Sequence, residues 1–141
     1  MLRRIAAHLT IVALYGLAGC ATSPSGTSLH YFNGLITTGY GGSIFEENPK
    51  TTIQRKDNIY FVNHVRWEPA TAVGGSHVVN WKWYSSNGTL VATRELKLNF
   101  DKTPYRFYWH LPAGDLDLGH YRVDVAVDGA VIDTREFDIV S

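Results

Sequence analysis

The sequence predicts an all-β fold, an antiparallel sandwich of about seven strands. From Ser43 onward, apolar and polar residues alternate with a period of two, as in strands that bury one face. Asn87-Gly88 and Asp128-Gly129 are turn signals of the kind that close β-hairpins. No stretch after Cys20 has the spacing of an amphipathic helix. The chain is therefore expected to fold as successive hairpins packed into two sheets.

The first twenty residues have the composition of an export signal. Arg3 and Arg4 precede an apolar stretch from Ile5 to Ala18. A helix of about 14 residues extends roughly 21 Å, which is short of the ~30 Å hydrocarbon core of a bilayer. The segment is therefore interpreted as a cleaved signal peptide and not as a membrane-spanning anchor.

The apolar stretch ends in Leu17-Ala18-Gly19-Cys20, and Cys20 is the single cysteine of the chain. This segment resembles the lipobox of bacterial lipoproteins, in which a large apolar residue and two small residues precede a cysteine. The resemblance implies cleavage between Gly19 and Cys20 and lipidation of the Cys20 thiol. The alternative is an ordinary signal peptide cut at Ala18 or Ala21, with Cys20 incidental.

The lipoprotein resemblance also implies a location. Two or three acyl chains hold a protein on a membrane surface essentially permanently, so membrane lipid is the expected partner of acylated Cys20. Ala21 stands where an aspartate would retain many Gram-negative lipoproteins at the inner membrane. The periplasmic face of the outer membrane is therefore expected. With its only cysteine acylated, the domain has no disulfide and must be stabilised by packing.

Three segments follow from these features: a signal peptide over 1–19, a lipidated cysteine and flexible tether over 20–42, and the sandwich over 43–141. The start of the tether, Ala21 to Ser28, is small and polar and contains Pro24 and Gly26. Leu29 to Gly42 is open to two interpretations, an early edge strand or a partly ordered lead-in.

The predicted strands share a pattern in which every second residue is apolar. The predicted inward stripes are Ile59, Phe61, Val65 and Trp67, with Asn63 as a polar exception; His77, Val79, Trp81 and Trp83; Leu90, Ala92, Leu96, Leu98 and Phe100; Tyr105, Phe107, Trp109 and Leu111; and Tyr121, Val123, Val125 and Val127. In the last strand the apolar parity changes between Ile132 and Phe137, which indicates a β-bulge.

The run Asp117-Leu118-Gly119-His120-Tyr121 resembles the tyrosine corner of immunoglobulin-like domains. There the tyrosine hydroxyl bonds to upstream backbone, so Asp117 and Tyr121 are expected to be structural. Trp81 or Trp83 would occupy the core tryptophan position. Val123 stands where antibody domains carry their second cysteine, which leaves the broader immunoglobulin-like or fibronectin-like class. This resemblance implies a fold and no particular function.

The sequence contains no pattern typical of a catalytic or metal site. The five histidines after Cys20 form no H-x-H or H-E-x-x-H pair, and G-x-S-x-G and S-x-x-K are absent. His64 and His120 fall on predicted polar faces, where solvent exposure is expected. The balanced charge, with a pI near 7.0, argues against a nucleic-acid partner. We expect no enzyme activity, no cofactor and no metal.

Aromatic residues make up 13% of the chain, more than a disulfide-free sandwich of this size is expected to bury. Trp67, Tyr84 and Tyr108 are therefore candidate binding residues. The leading hypothesis is a non-enzymatic interaction or structural module of the cell envelope that engages another envelope protein through an edge strand or loops. The alternatives are a glycan- or peptidoglycan-binding module using those three residues and, last, a metal-dependent hydrolase.

Overall fold

A computed structural model describes residues 27–39 and 48–141, which contain strands joined by short turns. The strands are β1 (Ser28–Thr37), β2 (Thr52–Gln54), β3 (Asn58–Glu68), β4 (Gly75–Ser85), β5 (Leu90–Phe100), β6 (Tyr105–Pro112), β7 (Gly119–Val127) and β8 (Ala130–Val140). A 3-10 turn, Ala113–Asp115, joins β6 to β7.

The strands form two sheets that pack face to face. β1, β3 and β6 make a three-stranded sheet in the order β1-β3-β6, and the other five strands make a sheet in the order β2-β8-β7-β4-β5. The short β2 pairs in parallel with β8, and every other described pairing is antiparallel. The predicted all-β antiparallel sandwich is confirmed.

The sandwich begins earlier than the sequence predicts. β1 lies inside the segment assigned to the tether, and it pairs with β3 from Ser28, opposite Glu68, to Thr37, opposite Tyr60. Ile36 of β1 is buried in the core at 2% exposure. Of the two interpretations of 29–42, the strand is the right one as far as Thr37, and the predicted domain boundary at 43 is too late.

A bulge in β1 explains why this strand was difficult to recognise. The register with β3 shifts between Phe32 and Leu35, and Asn33 has a positive φ of 46°. A Cβ atom on Gly34 would collide with the side chain of Asp133. Asn33 and Gly34 therefore interrupt the period of two at the place where β1 passes close to β8.

The same contact accounts for Asn63, the polar exception on the inward face of β3. The side-chain Nδ2 of Asn63 donates a hydrogen bond to Oδ2 of Asp133 at 3.0 Å, and Asn63 is only 1% exposed. A buried amide is costly unless it is hydrogen-bonded, so Asp133 is what permits a polar residue here. The pair links β3 of one sheet to β8 of the other.

Except for Leu90, the inward stripes meet as one hydrophobic core between the sheets. The predicted inward position of Leu90 is wrong: it is 48% exposed, because the register of β5 with β4 shifts between Ala92 and Leu90. Trp81 and Trp83 are fully buried, and their rings lie edge-on to Phe107 and Phe137 at centroid distances of 6.2 and 6.0 Å. Both tryptophans therefore occupy the structural positions expected of them. Offset and edge-on ring pairs add about 0.5–1.5 kcal/mol each beyond burial, which helps a core without a disulfide.

Both predicted hairpin turns are present, with different backbone geometry. Asp128 and Gly129 have φ of 50° and 85°, the two positive values of a type I′ turn. In the other turn only Gly88 has a positive φ, 81°, and the Asn87 side chain accepts the amide of Thr89 at 3.0 Å. The turn before β8 therefore requires Asp128 to adopt a left-handed backbone conformation, which aspartate tolerates better than most residues.

The bulge predicted in β8 is also present. Val125 lies opposite Asp133, but the next residue of β7, Ala126, lies opposite Val131. Ile132 is therefore the extra residue, at the start of the interval in which the apolar parity changes. Past the bulge, Phe137 and Ile139 point into the core, at 1% and 2% exposure.

Candidate functional site

The outer face of the five-stranded sheet carries a shallow cavity of about 300 Å³. Its floor and walls come from the outward parity of β4, β5, β7 and β8, the positions that face away from the core. The lining residues are Val78, Asn80, Lys82, Tyr84, Glu95, Asp124, Ala126, Gly129 and Val131. The cavity therefore contains one of the three predicted binding aromatics, Tyr84, together with amide, carboxylate and ammonium groups.

Polar and charged side chains line this cavity. Asn80 donates through Nδ2 to Oε2 of Glu95 at 3.3 Å, and its Oδ1 atom is buried without a hydrogen-bond partner. Lys82 lies opposite Asp124 across the β4–β7 pairing, so charges of both signs alternate along the face. This mixture suits a polar, uncharged ligand better than a polyanion.

Tyr84 is half-buried, and one face of its ring is occupied. The guanidinium carbon of Arg122 lies 4.6 Å from the ring centroid, within the range of a cation–π contact. Arg122 is in turn held by Asp124, whose Oδ1 is 3.3 Å from the Arg122 Nε atom. A ligand that stacks on Tyr84 must therefore use the other face of the ring or displace Arg122.

Tyr108 lies on the other side of the molecule. It has the outward parity of β6, in the three-stranded sheet, and its ring contacts Tyr60 at a centroid distance of 5.9 Å. The core separates it from Tyr84, because β4 and β6 belong to opposite sheets. The expectation that Tyr84 and Tyr108 contribute to one binding platform is therefore wrong.

Trp67, the third predicted binding residue, is part of the core. It is 1% exposed, its Nε1 atom donates to the Ala72 carbonyl at 2.8 Å, and its ring stacks on Phe100 at 6.2 Å. The prediction that Trp67 is partly exposed is wrong. Its inward parity on β3 was the better guide, since the end of the sandwich has room for Trp67 between β3 and the end of β5.

The tyrosine corner forms as the resemblance implies. The Tyr121 hydroxyl donates to the Asp117 backbone carbonyl at 2.9 Å, and Tyr121 is 5% exposed. Burial raises the pKa of Tyr121, and the nearby Asp117 carboxylate acts in the same direction. The hydroxyl therefore stays protonated and remains a donor at neutral pH.

A histidine–aspartate pair that the sequence analysis did not identify closes the β7–β8 turn. The Nδ1 atom of His77 is 2.7 Å from Oδ2 of Asp128, and Nε2 is 3.0 Å from the carbonyl oxygen of Gly74. Oδ1 of Asp128 accepts the Val78 amide at 2.9 Å. Burial raises the pKa of Asp128, but the bonds from His77 and Val78 outweigh it and hold that pKa below its ordinary value.

The remaining histidines are distributed over both sheets. His64 is fully buried, so the expectation of solvent exposure is wrong for this residue; its Nδ1 atom lies 3.1 Å from the Asn33 carbonyl oxygen. His120 is exposed, and its Nδ1 atom lies 2.9 Å from Oδ1 of Asp138. Across residues 27–39 and 48–141, no group of three or more His, Cys, Asp or Glu side chains is placed to hold a metal ion.

A second cavity, of about 350 Å³, lies at the end of the sandwich that holds the β4–β5 turn and the 3-10 turn. Val91 and Leu118 line it and are 38% and 51% exposed, and the corner residues Asp117 and Tyr121 form its base. Exposed apolar side chains beside a concave surface are typical of protein contacts.

The lipidation and cleavage residues, Cys20 and Gly19, lie outside the described residues. Within the part of the chain that the structure describes, no helix is long and apolar enough to cross a membrane.

Two sheets of this order, packed around a tyrosine corner, define the chain as an immunoglobulin-like β-sandwich domain. No protein-family model matches the sequence, and no curated protein matches it. Solved structures show the fold. An alkylpurine DNA glycosylase from Pseudomonas fluorescens, bound to DNA containing an abasic site analog, superposes with a TM-score of 0.51 at 15% identity, over 80% of this chain and 30% of its own.

A β-glucosidase from Erythrobacter marinus superposes with a TM-score of 0.50 at 13% identity, over 81% of this chain and 16% of its own. An immunoglobulin-like protein from Pseudomonas aeruginosa has a TM-score of 0.45 at 12% identity, over 80% of this chain and 92% of its own. This chain therefore spans less than a third of the length of the two enzymes. At such low sequence identities, the similarity to these structures shows the fold alone.

Proposed function

We propose that the chain is a non-enzymatic interaction module, anchored by lipid to the periplasmic face of the outer membrane and engaging another envelope protein. The observation that carries the proposal is the lipobox-like segment Leu17-Ala18-Gly19-Cys20, placed just before a sandwich that starts at Ser28. An anchored sandwich presents its surfaces to neighbours at a limited distance from the membrane. The proposal assigns it no catalytic step.

The short tether sets that distance. Seven residues, Ala21 to Thr27, separate Cys20 from β1 and extend at most about 25 Å when fully stretched. Ser28 pairs with Glu68, so the tether joins the end of the sandwich where β3 finishes. The cavity lined by Val91 and Leu118 lies at the opposite end, where the anchor leaves it accessible to a partner.

The anchor is tested by mass spectrometry of the exported chain. We expect a mature N-terminus at Cys20 with a diacylglyceryl thioether, and release of the protein from the membrane fraction in a Cys20→Ala variant. A mature chain that begins elsewhere, or that carries an unmodified Cys20, would contradict the proposal.

The partner surface is tested separately by photo-cross-linking in intact cells. A photo-reactive residue in place of Leu118 should give one dominant cross-linked envelope protein. The matched control is Val73, which is 66% exposed but lies between β3 and β4 at the tether end. Equal cross-linking from both positions, or none from Leu118, would exclude the loop end as the partner surface.

A glycan-binding module is the second candidate, favoured by the cavity that combines Tyr84 with the exposed polar groups of Lys82 and Glu95. Aromatic rings stack on sugars, and ammonium and carboxylate groups can bond to sugar hydroxyls. Retention on purified peptidoglycan should be lost in Tyr84→Ala and kept in Tyr108→Ala, which alters the opposite sheet. Loss in neither variant, or no retention of the unaltered chain, excludes this candidate.

A further inference from the structure

β5 is a long and regular free edge of the five-stranded sheet. It has 11 residues, stands at the end of the strand order and pairs with β4 alone among the described strands. Its register with β4 is uninterrupted from Phe100, opposite Gly75, to Ala92, opposite Trp83. No proline interrupts it. Such an edge presents a row of unpaired amide and carbonyl groups that another strand can pair with.

The side chains of β5 favour one way of pairing with a second copy. Thr93, Glu95, Lys97 and Asn99 share the outward parity, since they lie opposite outward residues of β4. In an antiparallel pair about a two-fold axis, opposite residues lie on the same face. An axis at Glu95 or at Lys97 would put like charges opposite each other. An axis at Leu96 puts Glu95 opposite Lys97 of the second copy, twice.

The two charges that this register needs are available. Both are exposed, and in the described part of the chain Lys97 has no ion-pair partner within 4 Å. Among the residues that the structure describes, the one hydrogen bond to the Glu95 side chain is the 3.3 Å contact from Asn80. Each copy therefore has an unpaired cation and an accessible anion on the edge, two residues apart. A two-fold axis midway between them places the cation of each copy opposite the anion of the other.

The inner face of β5 is compatible with this contact. Leu96 and Leu98 point inward but are only partly buried, since the three-stranded sheet ends at β6 and does not cover β5 fully. Arg94 is the charged residue on this face, and its guanidinium carbon lies 4.5 Å above the Trp109 ring. It is held over the core, leaving Leu96 of the two copies to meet at the axis.

We propose that two copies of this chain pair through β5, edge to edge and antiparallel, with Leu96 on the two-fold axis. The two five-stranded sheets then become one ten-stranded sheet. Because the axis is perpendicular to the sheet, β1 of both copies lies on the same face of the ten-stranded sheet, with the two Ser28 ends directed oppositely along the strands. The loop end with Leu118 is not used.

Charge reversal tests the register in the full chain, solubilised in detergent and followed by sedimentation velocity. Glu95→Lys alone, or Lys97→Glu alone, replaces two attractive pairs by two repulsive ones and should raise the dimer dissociation constant by about tenfold or more. The double reversal, Glu95→Lys with Lys97→Glu, restores opposite charges and should restore the dimer. Glu95 and Lys97 are both exposed, so their substitution should not unfold the domain. Unfolding therefore does not explain a loss of the dimer.

Disulfide cross-linking in membranes tests the same register independently of affinity. Thr93 of one copy lies opposite Asn99 of the other, so the Thr93→Cys, Asn99→Cys variant should oxidise to a covalent dimer. Either cysteine alone is about 20 Å from its counterpart, six residues along the strand, and should give no covalent dimer, because the thioether sulfur of lipidated Cys20 cannot form a disulfide. A dimer insensitive to charge reversal, or monomer in both experiments, overturns the proposal.

Discussion

Removal of one hydroxyl group measures the contribution of the tyrosine corner. Tyr121→Phe deletes the 2.9 Å hydrogen bond to the Asp117 carbonyl and keeps the ring, which stacks on Phe137 at 5.7 Å. Because the ring stays in place, the substitution opens almost no cavity. The expected loss of stability is therefore that of the hydrogen bond.

The size of the loss follows from solvent exposure at the corner. Tyr121 is 5% exposed but Asp117 is exposed, so water can reach the carbonyl, and the loss is that of an ordinary hydrogen bond, about 0.5–1.5 kcal/mol. For a loss of about 1 kcal/mol and a urea m-value of about 1.5 kcal/mol/M, the unfolding midpoint falls by about 0.7 M. The melting temperature falls by about 4 °C, at roughly 4 °C per kcal/mol for a domain of this size.

Urea titration of the full chain, followed by tryptophan fluorescence, measures the change. The matched control is Tyr84→Phe, which removes a hydroxyl from a half-buried ring outside the core and should cost less than about 0.5 kcal/mol. If Tyr121→Phe costs no more than this control, the corner hydrogen bond does not stabilise the fold and the reasoning is refuted.

Two further substitutions test contacts that link the strands. Gly34→Ala should destabilise the domain by about 1–3 kcal/mol in urea, because the new methyl displaces Asp133 from Asn63; an unchanged midpoint would contradict this close approach. Asp128→Asn should lower stability at pH 7, because it removes the carboxylate that pairs with His77. A carboxyl group with a lowered pKa contributes its full stabilisation above the ordinary pKa and loses it as the pH falls through the lowered value. The difference from the unaltered chain should therefore shrink below pH 3.8, and a difference that does not shrink there would exclude the pair with His77.

Much of the fold could be predicted because alternation records which face of a strand is buried. The inward stripes of β3, β4 and β7 followed from the period of two, and the tyrosine corner followed from the spacing of Asp117 and Tyr121. The position of Trp67 could also have been read from its parity. It was misassigned because the number of large rings that the core can hold was underestimated.

β1 was harder to recognise, since its bulge interrupts the alternation at Asn33 and Gly34. Parity in one strand carries no information about a contact with a strand far along the chain. For this reason the partner of Asn63, 70 residues away, could not be predicted, although the polar residue on an apolar stripe indicated that a partner must exist.

The candidate site depended still more on tertiary structure. Tyr84 and Tyr108 have the same outward parity, and only the assignment of β4 and β6 to different sheets separates them. The pairing of His77 with Asp128 likewise required the β7–β8 turn to close over β4.

The sequence by itself therefore determined the strand type and most of the inward residues, which are local properties of the chain. Tertiary structure alone decided which strands share a sheet, which aromatic rings share a face and which edge is free. These features arise from contacts between residues distant in sequence, and a pattern with a period of two does not encode them.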